Sequence, residues 1–319
     1  MPLNYSIIIP HKGIPDLLQR CLDSIPQRED VEVIVVDDNS DPRKVDFEHF
    51  PGLERPNTRV FFTKEGKGAG YARNVGLDHA QGQWIVFADA DDFFTEEFNA
   101  LLDETKDAEE DLIFFDYVNA LSEDVTQRLE EREWYRTLIK AYLMNDDNAE
   151  EWLRWYFCVP WCKIVKKELI ECYRIRFSEV RWGNDVYFSA QVSCRAQTIR
   201  VSEKIGYVLT SRKGSLTDNK FKSSKEFRVR LVEAMKCDSL FQQFGYVLDH
   251  KKTNVVIRES YQDRGLWKSV WFCIANVFHP RVFWVTALFG VRRMKEKCFI
   301  KSEQMEKESS ENTSQSNET

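Results

Sequence analysis

Residues 84–94, WIVFADADDFF, run a short apolar stretch into Asp89, Asp91 and Asp92. Carboxylates this close raise one another's pKa and repel, so the grouping is costly unless something cationic sits among them. A hard divalent metal, which prefers oxygen ligands, is the natural counter-charge. Taken singly, each of these acids also reads as a turn former or a helix cap. A second acidic pair, Asp37 and Asp38, closes the run VEVIVVDD. Asp38 reads either as a ligand-binding carboxylate or as an Asx-turn with Asn39 and Ser40, and Asp37 as structural. The glycine-rich KEGKGAGYARN has neither the G-K-[ST] spacing of a P-loop nor a G-x-G-x-x-G opening a helix after a strand. Its glycines, Gly70 among them, let backbone approach phosphate closely.

The elements that must position these residues follow from periodicity. YSIIIP is a short apolar run closed by Pro10, a buried strand, and IPDLLQRCLDSI sets Leu17, Leu18, Cys21, Leu22 and Ile25 on one helical face behind Pro15. VEVIVVDD, RVFFT, QWIVFADADD and DLIFFDY read as further strands, with a helix through YARNVGLDHA and another in TEEFNALLDE, opened by Thr95. The alternation predicts an α/β fold, a mostly parallel sheet flanked by helices. Ligands bind such sheets at the carboxyl ends of the strands, where Pro10, Asp38 and Asp89 to Asp92 all fall.

The chain has 319 residues, 43% apolar and 30% charged, with a net charge of −7. These values describe a globular protein and give no global case for nucleic-acid binding. Eight cysteines are scattered without a C-x-x-C pair, as expected of reduced thiols in a cytoplasmic protein. The start, MPLNYSIIIP, enters a strand directly and has no signal-peptide pattern.

SIIIPHKG, LLQRCLDSI, VEVIVVDDNSD, GAGYARNVGLDHAQGQWIVFADADD and WGNDVYFSAQV, in this order over about residues 5–217, resemble the family 2 glycosyltransferases, which have a GT-A fold. The pattern departs from the family at Lys12 and Gly13, where a Tyr or similar residue followed by Asn is common. The resemblance implies an inverting, metal-dependent transfer of a sugar from a UDP-sugar to a hydroxyl. It puts Pro10 and Asp38 at the uracil, Asp38 accepting the ring N–H, and Gly70 and Arg73 at the nucleotide. Asp89 and Asp91 match the D-x-D signature: Asp91 is then the ligand of Mn²⁺ or Mg²⁺, Asp89 faces the ribose or reaches the metal through water, and Asp92 stands behind them. Trp161 and Lys163 are expected near the donor sugar or acceptor, with core packing the alternative for a buried Trp, Asp185 as general base, and Arg212 and Ser215 on a loop over the pyrophosphate. Asp185 also reads as a carboxylate serving a helix dipole, and the loop as a solvated basic turn.

The expected division is a catalytic domain over residues 1–220, with a nucleotide-binding half (1–118) and an acceptor half (119–220). A helical extension over 221–300 and a disordered polar tail over 301–319 follow. The aromatic and basic residues of 266–297 suit peripheral contact with the inner face of a membrane, or packing as core. The acceptor expected is a glycan or lipid-linked glycan of bacterial surface polysaccharide. A catalytically inactive donor-binding or scaffolding subunit and a sugar nucleotidyltransferase are the competing readings; the second normally carries a glycine-rich basic loop after strand one, where this chain has PHKGIPD.

Overall fold

Strands β1 (Tyr5–His11) and β2 (Val31–Asp38) are buried along their whole length, as continuous apolar runs are in a parallel sheet covered on both faces. The computed structural model describes residues 2–129, 134–212 and 223–246, with Lys252, Thr253 and Val256. Two compact units divide the chain: residues 1–220 with 232–248, and residues 221–231 with 249–319.

The first unit holds a mixed sheet of eight strands. The others are β3 (Thr58–Thr63), β4 (Trp84–Phe87), β5 (Phe93–Phe94), β6 (Leu112–Leu121), β7 (Lys163–Lys166) and β8 (Ile199–Ser211). Their spatial order is β3-β2-β1-β4-β7-β6-β8-β5. β3, β2, β1 and β4 are parallel, and so are β6 and β8; β7 runs against both β4 and β6, and β5 against β8. The expected parallel sheet is thus realised in β3, β2, β1 and β4 and reversed at β7 and at the two-residue β5.

β4 stops at Phe87, earlier than expected, so the acids stand on a turn beyond the strand. Ile8 pairs with Phe87 and His11 with Asp37. The turn of Asp89 to Asp92 and the end of β2 therefore leave the same edge of the sheet, on either side of Pro10.

Helix α1 (Pro15–Ser24) has proline in its first turn and buries Leu18, Cys21 and Leu22. Helix α2 (Ala69–His79) buries a face of small and polar residues: Gly70, Ala72, Arg73, Asn74, Gly76 and Leu77. At Gly76 a Cβ would stand 2.4 Å from Ile8 Cγ2, which sets how closely α2 lies on β1. Helix α3 (Glu97–Thr105) has no side-chain cap. Thr95, expected to cap it, donates its hydroxyl to the Ile205 carbonyl instead.

The chain between β6 and β7 contains α4 (Trp134–Leu143) and α5 (Ala149–Tyr156); α6 (Lys167–Cys172) follows β7, and α7 (Val186–Arg195) precedes β8. Helix α8 (Ser224–Gln243) begins in the second unit and ends in the first. Within the first unit its Cys237, Leu240 and Phe241 pack with Trp155, Ala190 and Cys194 as a small second core. Among the described residues no helix is long and apolar enough to cross a membrane. Residues 266–297 and 301–319 lie outside the described residues.

The Gly76 contact is directly testable. Gly76→Ala forces a methyl into Ile8 and should lower the unfolding free energy by about 1–3 kcal/mol. Urea titration would read this as a lower midpoint at unchanged slope.

Candidate active site

The carboxyl edge of β1 and β2 carries a closed polar network. His11 accepts from the Ile14 backbone N–H at Nε2 (3.1 Å), which leaves Nδ1 to donate to Asp37 Oδ1 (2.7 Å). Ser40 donates both its hydroxyl (2.5 Å) and its N–H (2.9 Å) to Asp37, and Gly13 N–H reaches Ser40 Oγ (2.7 Å). Burial pushes Asp37 up, but the bonds from His11 and Ser40 outweigh it and hold the carboxyl below its ordinary range. Asp37 thus ties the β1–α1 turn to β2, the structural role expected of it.

Asp38 is buried and treated asymmetrically. Its Oδ2 accepts from Lys12 Nζ (3.2 Å) and Gly68 N–H (2.9 Å), and its carbonyl accepts from Lys12 Nζ (2.7 Å). Its Oδ1 is buried with no hydrogen-bond partner among the described residues. A buried acceptor left this way costs about 1–3 kcal/mol, a penalty that a ligand donor would relieve. Gly68 stands at the start of α2 with φ +99°, a conformation that glycine adopts without strain.

The acid turn is held from three sides. Asp89 Oδ1 receives Arg73 Nη2 (2.5 Å), and Asp89 N–H donates to the Tyr207 hydroxyl (3.0 Å). That hydroxyl donates in turn to Asp92 Oδ2 (2.9 Å), whose Oδ1 takes Thr210 N–H (2.7 Å). The Asp91 carbonyl accepts from Arg20 Nη2 (2.5 Å) and Thr210 Oγ1 (2.7 Å), and its Oδ2 pairs with Arg212 Nε (3.0 Å). Burial first, and then the Asp89 charge, raise the Asp91 carboxyl against the pull of Arg212. Asp92 is raised well above the ordinary carboxylate range by burial, Asp91 and Asp89.

Among the described residues no three His, Cys, Asp or Glu side chains converge as a metal cage. The carboxylates of Asp89 and Asp91, a third and a quarter exposed, nevertheless suit a hard divalent ion that takes its remaining ligands from phosphate and water. The upward pressure on Asp91 is the cost such an ion would remove.

Arg73 joins this turn to the acceptor side. Its Nη1 donates to Asn184 Oδ1 (2.8 Å), its guanidinium lies 5.2 Å from the Phe177 ring centroid, and its Nε is buried without a partner among the described residues. Asn74 exchanges two hydrogen bonds with the Phe177 backbone (3.0 and 2.8 Å). Phe177 stacks on Phe188 of α7 at 3.8 Å. A Cβ at Gly70 would stand 2.3 Å from the Ser178 carbonyl, so the space that Gly70 leaves, expected to admit phosphate, is filled by the chain's own backbone. These contacts seat Asp185 at the head of α7, next to Asn184. The Asp185 charge also bears on Tyr135, whose hydroxyl is pushed up first by burial.

Two expected contacts are corrected. Lys163 is buried, with Nζ on the carbonyls of Phe157 (2.6 Å) and Val159 (2.8 Å). Trp161 is core, stacked on Tyr207 at 5.8 Å and edge-on to Tyr117 and Tyr135. Neither side chain is placed to meet a sugar in this arrangement. Pro10 is buried within β1, and Ser215 lies outside the described residues. Sequence reasoning missed Lys12, Arg20, Asn184, Tyr207 and Thr210 as contributors; the only local signals were the departure at Lys12 and the N-D pair at 184–185.

The architecture is that of the GT-A glycosyltransferases, and the sequence pattern of "Glycosyl transferase family 2" matches residues 6–174. The chain belongs to that family. It is 24% identical over 225 residues to the uncharacterized glycosyltransferase EpsJ of Bacillus subtilis, covering 69% of this chain and 65% of that protein. It is also 24% identical to the poly(ribitol-phosphate) beta-N-acetylglucosaminyltransferase TarS of Staphylococcus aureus, covering 74% of this chain and 41% of that protein. It thus spans less than two thirds of either relative. Among solved structures, S. aureus TarS 1–349 in complex with UDP-GlcNAc aligns with TM-score 0.56 at 21% identity, over 85% of this chain and 84% of that one. The mannosyltransferase PcManGT of Pyrobaculum calidifontis, in complex with GDP-Man and Mn²⁺, aligns with TM-score 0.51 at 16% identity, over 92% and 82%.

The raised Asp92 carboxyl has a sign that can be measured. An unfolded Asp ionises near about 3.9, whereas the native group holds its proton to higher pH, so stability falls as pH rises between the two values. Asp92→Asn, in EDTA, should therefore gain stability at neutral pH and lose the gain below about pH 3.9. Asp92→Ala, which strands Tyr207 and Thr210, should lose about 1–3 kcal/mol at low pH and less at neutral pH, where it too removes the buried charge. Lys163→Met leaves two buried carbonyls without their donor. It should lower the melting temperature while leaving donor KM at permissive temperature unchanged.

Proposed function

We propose that this protein is an inverting, metal-dependent glycosyltransferase that moves a sugar from a UDP-sugar to a hydroxyl of a glycan or lipid-linked glycan. The observation that carries the reading is a convergence at one sheet edge. Buried Asp38 with its unpartnered Oδ1 stands beside the Asp89–Asp91 turn, and Arg73 joins that turn to Asn184 and so to Asp185.

In this reading the uracil ring N–H donates to Asp38 Oδ1, with the Pro10 backbone beside the base. Arg73 steadies the nucleotide, its unpartnered Nε offering a further donor, and Asp89 faces the ribose. Mn²⁺ or Mg²⁺ would be held by Asp91, with Asp89 directly or through water, and would offset the charge on the departing diphosphate. Asp185 takes the proton of the acceptor hydroxyl as that oxygen attacks the anomeric carbon from the face opposite UDP. The bond to the diphosphate oxygen breaks in the same displacement, which inverts the centre. Arg212, paired with Asp91 in this structure, and Ser215 close the donor side and limit hydrolysis by water.

A role in envelope polysaccharide is supported by the relatives, TarS among them. Assignment of residues 1–220 to catalysis, of 221–300 to a helical extension and of 266–297 to peripheral membrane contact rests on sequence pattern alone.

Titration calorimetry with UDP and CDP, in Mn²⁺ and then in EDTA, tests the reading. UDP should bind in the micromolar range only with the metal, and CDP far more weakly. Asp91→Ala should abolish the metal-dependent part, whereas Asp185→Asn should keep UDP binding and lose at least about a hundredfold in transfer rate. Equal loss of UDP binding in both variants would refute this division of roles.

A further inference from the structure

The pair Lys12–Asp38 sits where the chain departs from its family. Lys12 follows β1, its side chain about half exposed, and its Nζ contacts two oxygens of Asp38: the carbonyl at 2.7 Å and Oδ2 at 3.2 Å. Gly68 N–H adds a second donor to Oδ2 at 2.9 Å. The turn at Gly66 passes close by, since a Cβ there would stand 3.8 Å from Lys12 Nζ. Oδ2 is therefore occupied twice and Oδ1 not at all.

An open carboxylate can accept two parallel N–H bonds, one on each oxygen. This one has a single acceptor left, bordered by an ammonium that is donor only. The base edge complementary to it presents one N–H with acceptors on both sides. Uracil does so, with N3–H between O2 and O4. Guanine presents two adjacent donors, N1–H and the N2 amino group; with N1–H on Oδ1, the second donor meets Lys12 and the engaged Oδ2. Cytosine has an acceptor at N3 and its donor at the N4 amino group, one position aside, so it reaches Oδ1 only with the ring shifted from the uracil position.

We propose that Lys12 is a positioning residue for nucleotide specificity: by occupying Asp38 Oδ2 it leaves one acceptor and so excludes guanine. The assignment rests on the uridine reading given above. Selectivity then comes from denying guanine the second acceptor it needs rather than from a new contact to uracil.

The test is calorimetric titration of UDP and GDP, each with Mn²⁺, into the full chain and into K12M, D38A and K12M/D38A. The wild type should prefer UDP. K12M should narrow the UDP-to-GDP preference by about tenfold or more, chiefly through tighter GDP binding. In the D38A background the same substitution should leave the ratio unchanged, because Lys12 acts through Asp38. A K12M protein that keeps the wild-type ratio, with both nucleotides unchanged or weakened together, overturns the assignment and makes Lys12 a phosphate or structural contact. A wild type that binds neither nucleotide, or prefers GDP, overturns the uridine reading itself. K12M takes a donor from two oxygens of buried Asp38, so the titrations are made below its melting temperature; K12A is the second variant, and a wild-type ratio in both overturns the assignment.

Discussion

Arg73 is the interaction on which the site depends. Its guanidinium is buried against Phe177 and spans from Asp89, at the end of β4, to Asn184, just ahead of α7. A buried charge is tolerated only when paired and hydrogen-bonded, and removing its partner is far costlier than losing an exposed ion pair. The two motifs it joins are far apart in the chain, so neither can shift without stranding the cation. Helix α2 supplies the rest of the clamp: Asn74 bonds the Phe177 backbone, and Gly70 lets Ser178 pass at contact distance.

The acid turn obeys the same logic. Three carboxylates within four residues would drive one another apart, yet each is met by a different donor set: Arg73 on Asp89, Arg212 on Asp91, Tyr207 and Thr210 on Asp92. Arg20 fixes the backbone of Asp91 from α1. Repulsion is thereby balanced without being abolished, since Asp91 and Asp92 remain pushed upward. A site in this condition is poised for positive charge.

How much of this was legible follows from how local each cause is. β1 and β2 are continuous apolar runs whose signal lies wholly in their own residues, and the small face of α2 is visible in its composition. β5 has two residues and exists because Phe93 and Phe94 meet β8, a partner more than a hundred residues away. The reversal at β7 has no local mark, since Lys163–Lys166 would read the same in either direction. The meeting of Asp38 with the turn of Asp89 to Asp92 at one sheet edge was legible through ordered motifs. Arg20, Tyr207 and Thr210 were not, because they reach the acids across 71 to 119 positions. Lys163 was misread for a related reason: its carbonyl partners explain it, and no pattern shows that they converge.

The reversal at β7 also bears on how such a protein can change over generations. Because β7 runs against both of its neighbours, β6 ends at the same edge of the sheet as β4, and the chain re-enters the sheet from that edge at Lys163. The described residues between, 122–129 and 134–162 with α4 and α5, therefore belong to an excursion that leaves from and returns to that edge of the sheet. Its outer turns can lengthen without altering a strand register, whereas Trp161 and Ser122 within it brace Tyr207 and Arg20, and through them the acid turn. The topology thus leaves room for variation in length only in the outer part of this excursion, away from the side chains that brace the acid turn.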